Sequence, residues 1–308
     1  MKRILKYWKI AWIAISENRG RSFLTMLGII IGVGAVVLMT SLGKGAEALI
    51  LGSVNDLGSD LMYIIPGSPE QGLSGSIISM DRIKYRDYLQ LKKVDYLANV
   101  TPFLSSDLIL VAGESNEKAT VNGTSREYTT SMNFFPEKGR FFEDFDVASA
   151  SKVIVVGYVL SNRLFGDQDP VGQTVKIKGH TFRVIGVMEE QGGNPFENWD
   201  DMAFIPVTTM QTYLFGVDYV QNIMANARGE MDQVLESTRE TLRRLHNIDN
   251  PEGDLAKDDF TVMSQEQALG IFSSVSAVLT LFIVMIASIS LVVGGVGIMN
   301  IILNIRFY

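Results

Sequence analysis

The sequence predicts an α+β extracytoplasmic domain of two lobes, carried on two long transmembrane or stalk α-helices. Two apolar segments lie near the ends of the chain, and strand and helix patterns alternate between them. Acidic residues are concentrated in the same intervening segment. An α-helix rises about 1.5 Å per residue, so about 20 apolar residues cross the roughly 30 Å hydrocarbon core of a bilayer. Both apolar segments reach that length.

The N-terminal apolar segment is 23–42, which has no charged side chain and follows Arg19 and Arg21. We predict that it is the first transmembrane helix. The alternative is a cleaved secretory signal, but the apolar part of a signal has only about 7–15 residues and ends at a small-residue cleavage site. In 1–22, lysines alternate with tryptophans and isoleucines, which predicts an amphipathic helix in the cytoplasmic membrane interface. The alternative is that 1–22 extends the first span.

The C-terminal apolar segment is longer, because no charged side chain occurs from Gln267 to Ile305. We predict a stalk over 264–278 and the second transmembrane helix over 279–303. Ser264 and Gln267 have the S-x-x-Q spacing of a capping box, so this helix is expected to begin at Ser264.

Charge sets the expected orientation, since loops retained in the cytoplasm carry excess Lys and Arg. Basic residues dominate 1–22, and Arg306 follows the second span. Both termini are therefore predicted to be cytoplasmic, with 43–268 outside and 304–308 a short tail. The outer segment has a net charge of about −13, because it holds 33 of the 34 acidic and 20 of the 27 basic residues. An acidic exterior argues against a nucleic-acid partner.

Small residues in the two spans predict helix packing. Gly28 and Gly32 form a G-x-x-x-G pattern, and Gly294 and Gly295 give the second span a small-residue surface. After the first span, 43–57 keeps a helical pattern, which predicts a second stalk. The residues that mark the two predicted stalks are Lys44, Glu47, Ser264 and Gln267.

Between the stalks, hydrophobic periodicity predicts a sequence of short elements. The loops 71–76 and 191–201 are rich in Gly and Asn and are predicted to be mobile surfaces. The predicted elements are a strand at 61–65 closed by Pro66-Gly67, a helix at 81–94 capped by Asp81, a hairpin of 108–111 and 119–121 with its turn at 114–117, a strand at 153–156 before a helix ending near 165, a hairpin of 174–178 and 181–187 with its turn at 179–180, and a strand, helix and strand at 223–227, 229–246 and 260–263.

Motifs for catalysis are missing from the sequence. No G-x-x-x-x-G-K-[ST] phosphate loop and no G-x-S-x-G elbow occurs, and the absence of cysteine excludes disulfides and thiolate sites. His180 and His246 have no second metal ligand at a suitable spacing, so surface or capping roles are expected. The acidic pairs Asp200-Asp201 and Asp258-Asp259 are expected to be solvated. An enzyme is the least favoured class, and no cofactor is expected in this chain.

Several segments together resemble the permease subunits of the MacB/FtsX-like ABC transporter superfamily. The resemblance covers essentially the whole chain. The segments that carry it are RSFLTMLGIIIG at 21–32, VIVVGYVLSNRLFG at 153–166, DPVG at 169–172, TFRVIGV at 181–187, RRLH at 243–246, DDF at 258–260 and GGVGIMN at 294–300.

The resemblance implies an exporter of drugs, peptides or lipoprotein-like substrates in the bacterial inner or plasma membrane. Long stalks would transmit ATP-driven motion to the external domain, with ATP and magnesium bound in a separate ATPase subunit. It also implies membrane lipid, a MacA-like periplasmic adaptor, and a homodimer or permease heterodimer as partners.

The family's permeases have four spans, whereas this sequence ends after the second, so a truncated product or a separately encoded second half is expected. The alternatives in function are a membrane-anchored regulator that controls an external hydrolase, as FtsX-like proteins do, and a nonfunctional remnant.

Overall fold

The computed structural model describes residues 60–68, 83–192 and 198–305, together with scattered helical positions between 20 and 45. The chain divides into two compact units, one formed by Val54–Ala268 and one by Met1–Ser53 with Leu269–Tyr308. Several sequence predictions lie outside the described residues: the helix at 1–19, the roles of Gly28, Lys44 and Glu47, the loop 71–76 and the cap at Asp81. The described positions between 20 and 45 are 20, 23, 26, 27, 30–34, 37, 38, 40, 41, 43 and 45.

The described elements alternate between strands and helices. Two single turns of 3₁₀ helix, Trp199–Asp201 and Leu255–Lys257, also occur. In chain order the elements are β1 (Leu61–Pro66), α1 (Tyr85–Leu91), β2 (Leu97–Ala112), β3 (Ser115–Thr124), α2 (Tyr128–Ser131), β4 (Pro136–Gly139), α3 (Asp144–Ala148), β5 (Val153–Val156), α4 (Tyr158–Phe165), β6 (Thr174–Ile177), β7 (His180–Met188), β8 (Met202–Pro206), α5 (Val207–Thr209) continued by a π-helical turn (Met210–Phe215), β9 (Asn222–Ala227), α6 (Met231–His246), β10 (Phe260–Ser264) and α7 (Gln265–Ile305).

The first lobe of the Val54–Ala268 unit is a four-stranded antiparallel sheet in the order β10-β1-β9-β2. Helix α1 packs on β2, α6 packs on β10, and the two helices contact each other. The predicted strand, helix and strand unit at 223–263 is confirmed, but β1 lies between its two strands. The N-terminal and C-terminal strands of the domain are therefore direct neighbours.

The second lobe shares β2 with the first. The early part of β2 pairs with β9, and its later part pairs with both β3 and β6. The strands β2, β3, β8, β5, β7 and β6 follow one another until β6 pairs back onto β2, so they close into a ring, and β4 is added beside β7. The predicted α+β fold is confirmed for this unit.

Both predicted hairpins are confirmed, with turns placed differently. The β2–β3 turn is only Gly113-Glu114, because Ala112 pairs directly with Ser115. The β6–β7 turn is Lys178-Gly179, and both residues have positive φ, 46° and 82°. Two successive left-handed residues are the requirement of a type I′ turn, whose twist matches that of the strands.

The predicted helix at 81–94 is shorter in the structure. It begins after Lys84, whose backbone N–H donates to Asp87 Oδ2 at 2.7 Å, and ends at Leu91. Satisfying a free N–H in the first turn stabilises the helix start, so Asp87 does for α1 what a capping side chain does.

An aromatic cluster fills the core of the second lobe. The ring centroids of Tyr128 and Phe204 are 5.0 Å apart, and those of Phe134 and Phe204 are 6.1 Å apart with the rings nearly perpendicular. Both spacings lie in the favourable range for aromatic pairs. Phe134 and Phe204 are fully buried.

Within the described residues, no helix combines the length and the hydropathy that crossing a bilayer requires. The two spans expected from the sequence, 23–42 and 279–303, stay predictions.

Candidate functional site

The candidate functional site is β10 together with the first turn of α7. We call β10 (Phe260–Ser264) the junction strand, because Ser264 ends the strand and Gln265 begins the helix with no residue between them. Ser264 pairs with Met62 at the start of β1. Paired residues of antiparallel strands lie about 5 Å apart, so the chain enters and leaves the domain at nearly the same point.

The predicted capping box at this junction is confirmed. The Gln267 backbone N–H donates to Ser264 Oγ at 3.1 Å, and the Ser264 backbone N–H donates to Gln267 Oε1 at 3.2 Å. Gln265 is buried. These reciprocal bonds join the last residue of the strand to the first turn of the helix, which fixes the direction in which the helix begins.

Both edges of the junction strand make hydrogen bonds to neighbouring elements. On one side it pairs with β1 from Phe260 to Ser264, and the Thr261 hydroxyl donates to the Gly67 carbonyl at 2.6 Å. On the other side, Arg239 of α6 donates to the Val262 carbonyl at 2.9 Å. A side chain that occupies an edge carbonyl also blocks the pairing of a further strand there.

A buried ion pair fixes the residue two places before the junction strand. Arg243 of α6 donates to both carboxylate oxygens of Asp258, from Nε at 2.8 Å and from Nη2 at 2.7 Å. Asn250 donates to Asp258 Oδ1 at 3.1 Å. Asp258 raises the pKa of Arg243, chiefly through these hydrogen bonds, so the guanidinium stays charged at any physiological pH.

A second ionic group surrounds His246 at the end of α6. Its Nδ1 lies 2.7 Å from Asp259 and its Nε2 lies 3.2 Å from Asp87 of α1, while its ring packs edge-on against Phe260. The hydrogen bonds to Asp259 and then Asp87 raise the pKa of His246 to about 9, although burial acts in the opposite direction. The imidazolium therefore links α1, α6 and the residue that precedes the junction strand.

Because of this ionic group, we predict that the free energy of unfolding falls at alkaline pH. The folded-state pKa of His246, about 9, lies above its usual value of 6.5, so the stabilisation is complete below pH 6.5 and is lost as pH rises through 9. The expected loss in the free energy of unfolding is on the order of 3 kcal/mol. Denaturant unfolding of the full chain between pH 6 and 10 measures it.

The other histidine supplies the matched control for this measurement. His246→Gln should flatten the pH profile, whereas His180→Gln should leave its slope in place. An unchanged slope in His246→Gln would remove the assigned role.

The capping box gives a second prediction. Ser264→Ala removes the hydroxyl that caps the first turn of α7 and should lower the free energy of unfolding by about 1 kcal/mol. The control is Ser274→Ala, because the Ser274 hydroxyl bonds only to the Gly270 carbonyl inside the helix, at 2.8 Å. Thermal denaturation followed by circular dichroism compares the variants, and equal midpoints would show that the cap adds no stability.

The prediction that the acidic pairs Asp200-Asp201 and Asp258-Asp259 are solvated is wrong. Asp258 is buried against Arg243, and Asp259 bonds to His246. Asp200 is also buried, and its two oxygens accept the backbone N–H groups of Gln191 and Gly192, each at 2.9 Å. The fourth member, Asp201, is paired with Arg163. The acidic pairs by themselves gave no sign of these partners, which lie in other segments of the chain.

His246 lies at a helix end, as expected. Its side chain, however, is buried and contacts the carboxylates of Asp259 and Asp87, and it is not a surface cap of the helix. The sequence contains one indication that Arg243 and His246 act together, which is their spacing of three residues. Residues three apart share a helix face, and an acidic pair stands just before the next strand.

The residues expected to mediate helix packing are only partly described. Gly32 is helical and buried, and Gly294 and Gly295 are helical. Apart from its own helical turn, an added Cβ at Gly295 would meet no atom of the described residues within 4 Å. Their contact with another helix stays a prediction. The stalk residues Ser264 and Gln267 are brought together by the capping box.

No group of three or more His, Asp or Glu side chains within the described residues could hold a metal ion. Both ring nitrogens of His246 face carboxylates, so this histidine is occupied as a hydrogen-bond donor in its protonated form. The site holds the junction strand and the first turn of α7 together, which is a mechanical property.

The family model for the MacB-like periplasmic core domain matches residues 22–242. The chain belongs to this family. A macrolide export ATP-binding/permease protein MacB of Marinobacter nauticus is 32% identical over 293 residues, covering 94% of this chain and 44% of the relative. The corresponding protein of Bdellovibrio bacteriovorus is 35% identical over 295 residues, covering 94% and 45%. The chain thus spans somewhat less than half the length of these curated relatives.

Solved structures show the same fold for the MacB-like domain. The periplasmic region of MacB from Actinobacillus actinomycetemcomitans aligns with a TM-score of 0.60 at 24% identity, covering 72% of this chain and 97% of that one. The extracellular domain of the transporter YknZ from Gram-positive bacteria aligns with a TM-score of 0.51 at 23% identity, covering 66% and 99%. The resemblance seen in the sequence motifs is confirmed, since the chain contains a MacB-like periplasmic core domain.

Proposed function

We propose that this chain is the extracytoplasmic and stalk-bearing part of an ABC export permease that works by transmitting motion. Its relatives are named as macrolide and pyoverdine export ATP-binding/permease proteins, which supports export as the activity. ATP and magnesium would be bound outside these 308 residues. Membrane lipid, a MacA-like periplasmic adaptor and a second permease copy packed through Gly28 and Gly32 are its proposed partners.

The observation that carries the proposal is the linker-free junction between β10 and α7. A displacement of a helix is lost in a flexible linker, but here the helix is capped by the last residue of a strand. That strand is paired with β1, where the chain enters the domain. Motion of either predicted stalk would therefore act directly on one pair of hydrogen-bonded strands.

The test uses the intact gene in its bacterial host. Deletion is expected to raise the intracellular level of a labelled macrolide, erythromycin, or of a secreted siderophore several-fold, and the intact gene should restore export. A Gly-Ser-Gly-Ser insertion between Ser264 and Gln265 should leave the protein folded and fail to restore export.

The same insertion in the exposed Gly113-Glu114 turn is the matched control and should restore it. Restoration by the junction insertion would refute transmission through β10. Unchanged efflux after gene deletion, with altered cell-wall cleavage, would favour the regulatory alternative.

A further inference from the structure

A basic and aromatic patch surrounds the tip of the β6–β7 hairpin. It consists of Lys152, Lys178, His180, Tyr213 and Phe215, and we call it the hairpin-tip patch. The Lys152 ammonium lies 4.1 Å from the centroid of the Tyr213 ring, and the Lys178 ammonium lies 4.0 Å from that of Phe215. The His180 and Tyr213 ring centroids are 5.6 Å apart. These contacts form two groups, one of Lys152, Tyr213 and His180 and one of Lys178 and Phe215, and the two groups are adjacent along the chain at 178–180 and 213–215.

The two lysines of the patch are exposed but held in position. Lys178 Nζ also donates to the Leu214 carbonyl at 3.0 Å, and each ammonium rests on an aromatic face. Such cation–π contacts are worth about 0.5–1 kcal/mol at exposed sites. Side chains that are already ordered lose less conformational entropy when a partner binds.

The positive charge of the patch is not neutralised locally. Neither Lys152 nor Lys178 has an ion-pair partner within the described residues, whereas most other lysines and arginines of the domain are paired with carboxylates. The segments 170–188 and 202–217 contain no acidic residue, and Asp218, which directly follows the second segment, is paired with Lys84 at 2.9 Å. The patch is thus a basic surface on an acidic domain.

The position of the patch argues for a protein partner and against a lipid surface. Strand β6 pairs with Leu110, near the C-terminal end of β2. Near the N-terminal end of β2, Ala98 pairs with Asn226 of β9, and Asn226 in turn pairs with Leu61 of β1. At about 3.3 Å per residue these two positions of β2 are roughly 40 Å apart along the strand. The patch therefore lies far from the point where both predicted stalks leave the domain.

We propose that the hairpin-tip patch binds an acidic segment of a partner protein, whose carboxylates pair with Lys152 and Lys178 and whose apolar side chains cover Tyr213 and Phe215. Charge complementarity of this kind sets partner choice and association rate, and aromatic residues are enriched at interface centres. The choice of a protein over a membrane rests on the proposed function, which places the predicted spans in the bilayer and the stalks between the spans and the domain. The charge and ring geometry do not depend on it.

The test measures binding to the full chain in detergent. The probe is a short fluorescent peptide rich in glutamate and tyrosine, and its anisotropy reports binding. Lys152→Gln/Lys178→Gln should weaken binding by about tenfold, and added salt should weaken binding to the unaltered chain. The control is Lys93→Gln/Lys138→Gln, which removes two exposed lysines elsewhere and should change affinity by less than about twofold.

Three results would overturn the proposal. Equal affinity of the two double variants, or equal binding of a peptide with lysine in place of glutamate, would show that the patch does not select acidic segments. Patch-dependent binding to phosphatidylglycerol vesicles without peptide binding would assign the surface to lipid. The assay needs no export, so a failed binding test together with efflux that depends on the gene refutes the patch alone. Intact binding together with unchanged efflux after gene deletion refutes only the transport role.

Discussion

Replacing Arg243 with methionine is expected to lower the free energy of unfolding by about 3–5 kcal/mol, because it leaves a buried charge without its partner. Asp258 is 3% exposed, and after the change Asn250, at 3.1 Å, is the one side-chain donor left to it among the described residues. Denaturant unfolding of the full chain, followed by tryptophan fluorescence, measures the loss. Trp199 packs against Phe134 in the core and reports on the domain.

Two controls separate the lost ion pair from general damage. Lys257→Met breaks the exposed pair with Glu252, which is 3.1 Å long, and should cost less than about 1 kcal/mol. The double variant Arg243→Met/Asp258→Leu removes both charges and should be more stable than Arg243→Met alone. A double variant that is as unstable as the sum of the single changes would show that the two side chains do not interact.

Substituting alanine for Gly139 is the second large expected effect. Gly139 has φ of 72°, and a Cβ there would overlap the Ile185 carbonyl oxygen of the neighbouring strand β7. A left-handed L-residue costs about 1–2 kcal/mol. Forcing backbone apart in a packed core adds about 1–3 kcal/mol. Gly139→Ala should therefore destabilise by about 2–5 kcal/mol.

Gly113 provides the matched comparison, because its φ is 59° and an added Cβ would meet nothing within 4 Å. Gly113→Ala should show only the conformational part of the cost. The difference between the two variants isolates the steric overlap between β4 and β7. Equal destabilisation in urea titrations would mean that β4 shifts away from β7 without penalty.

The strands and helices with strong local signals were predictable from the sequence. The alternation of Val175 and Ile177 with polar neighbours gives β6, since side-chain burial there follows the two-residue period of a strand. The continuous β-branched run Val153 to Val156 gives β5, all four of whose residues are buried. The S-x-x-Q box at Ser264 also needed no tertiary information, because both of its hydrogen bonds join residues three apart. Short elements such as α2 and β4 were missed because they carry too few residues to show a period.

The sequence by itself determined the α+β character of the domain, its two hairpins, the start of α7 and the acidic outer segment, because these depend on local pattern and composition. Only the tertiary structure decided which distant groups meet. It inserted β1 between β9 and β10, brought His246 between Asp87 and Asp259, and buried Asp258 against Arg243. Such contacts join residues far apart along the chain, and their energy depends on burial and geometry that no local pattern encodes.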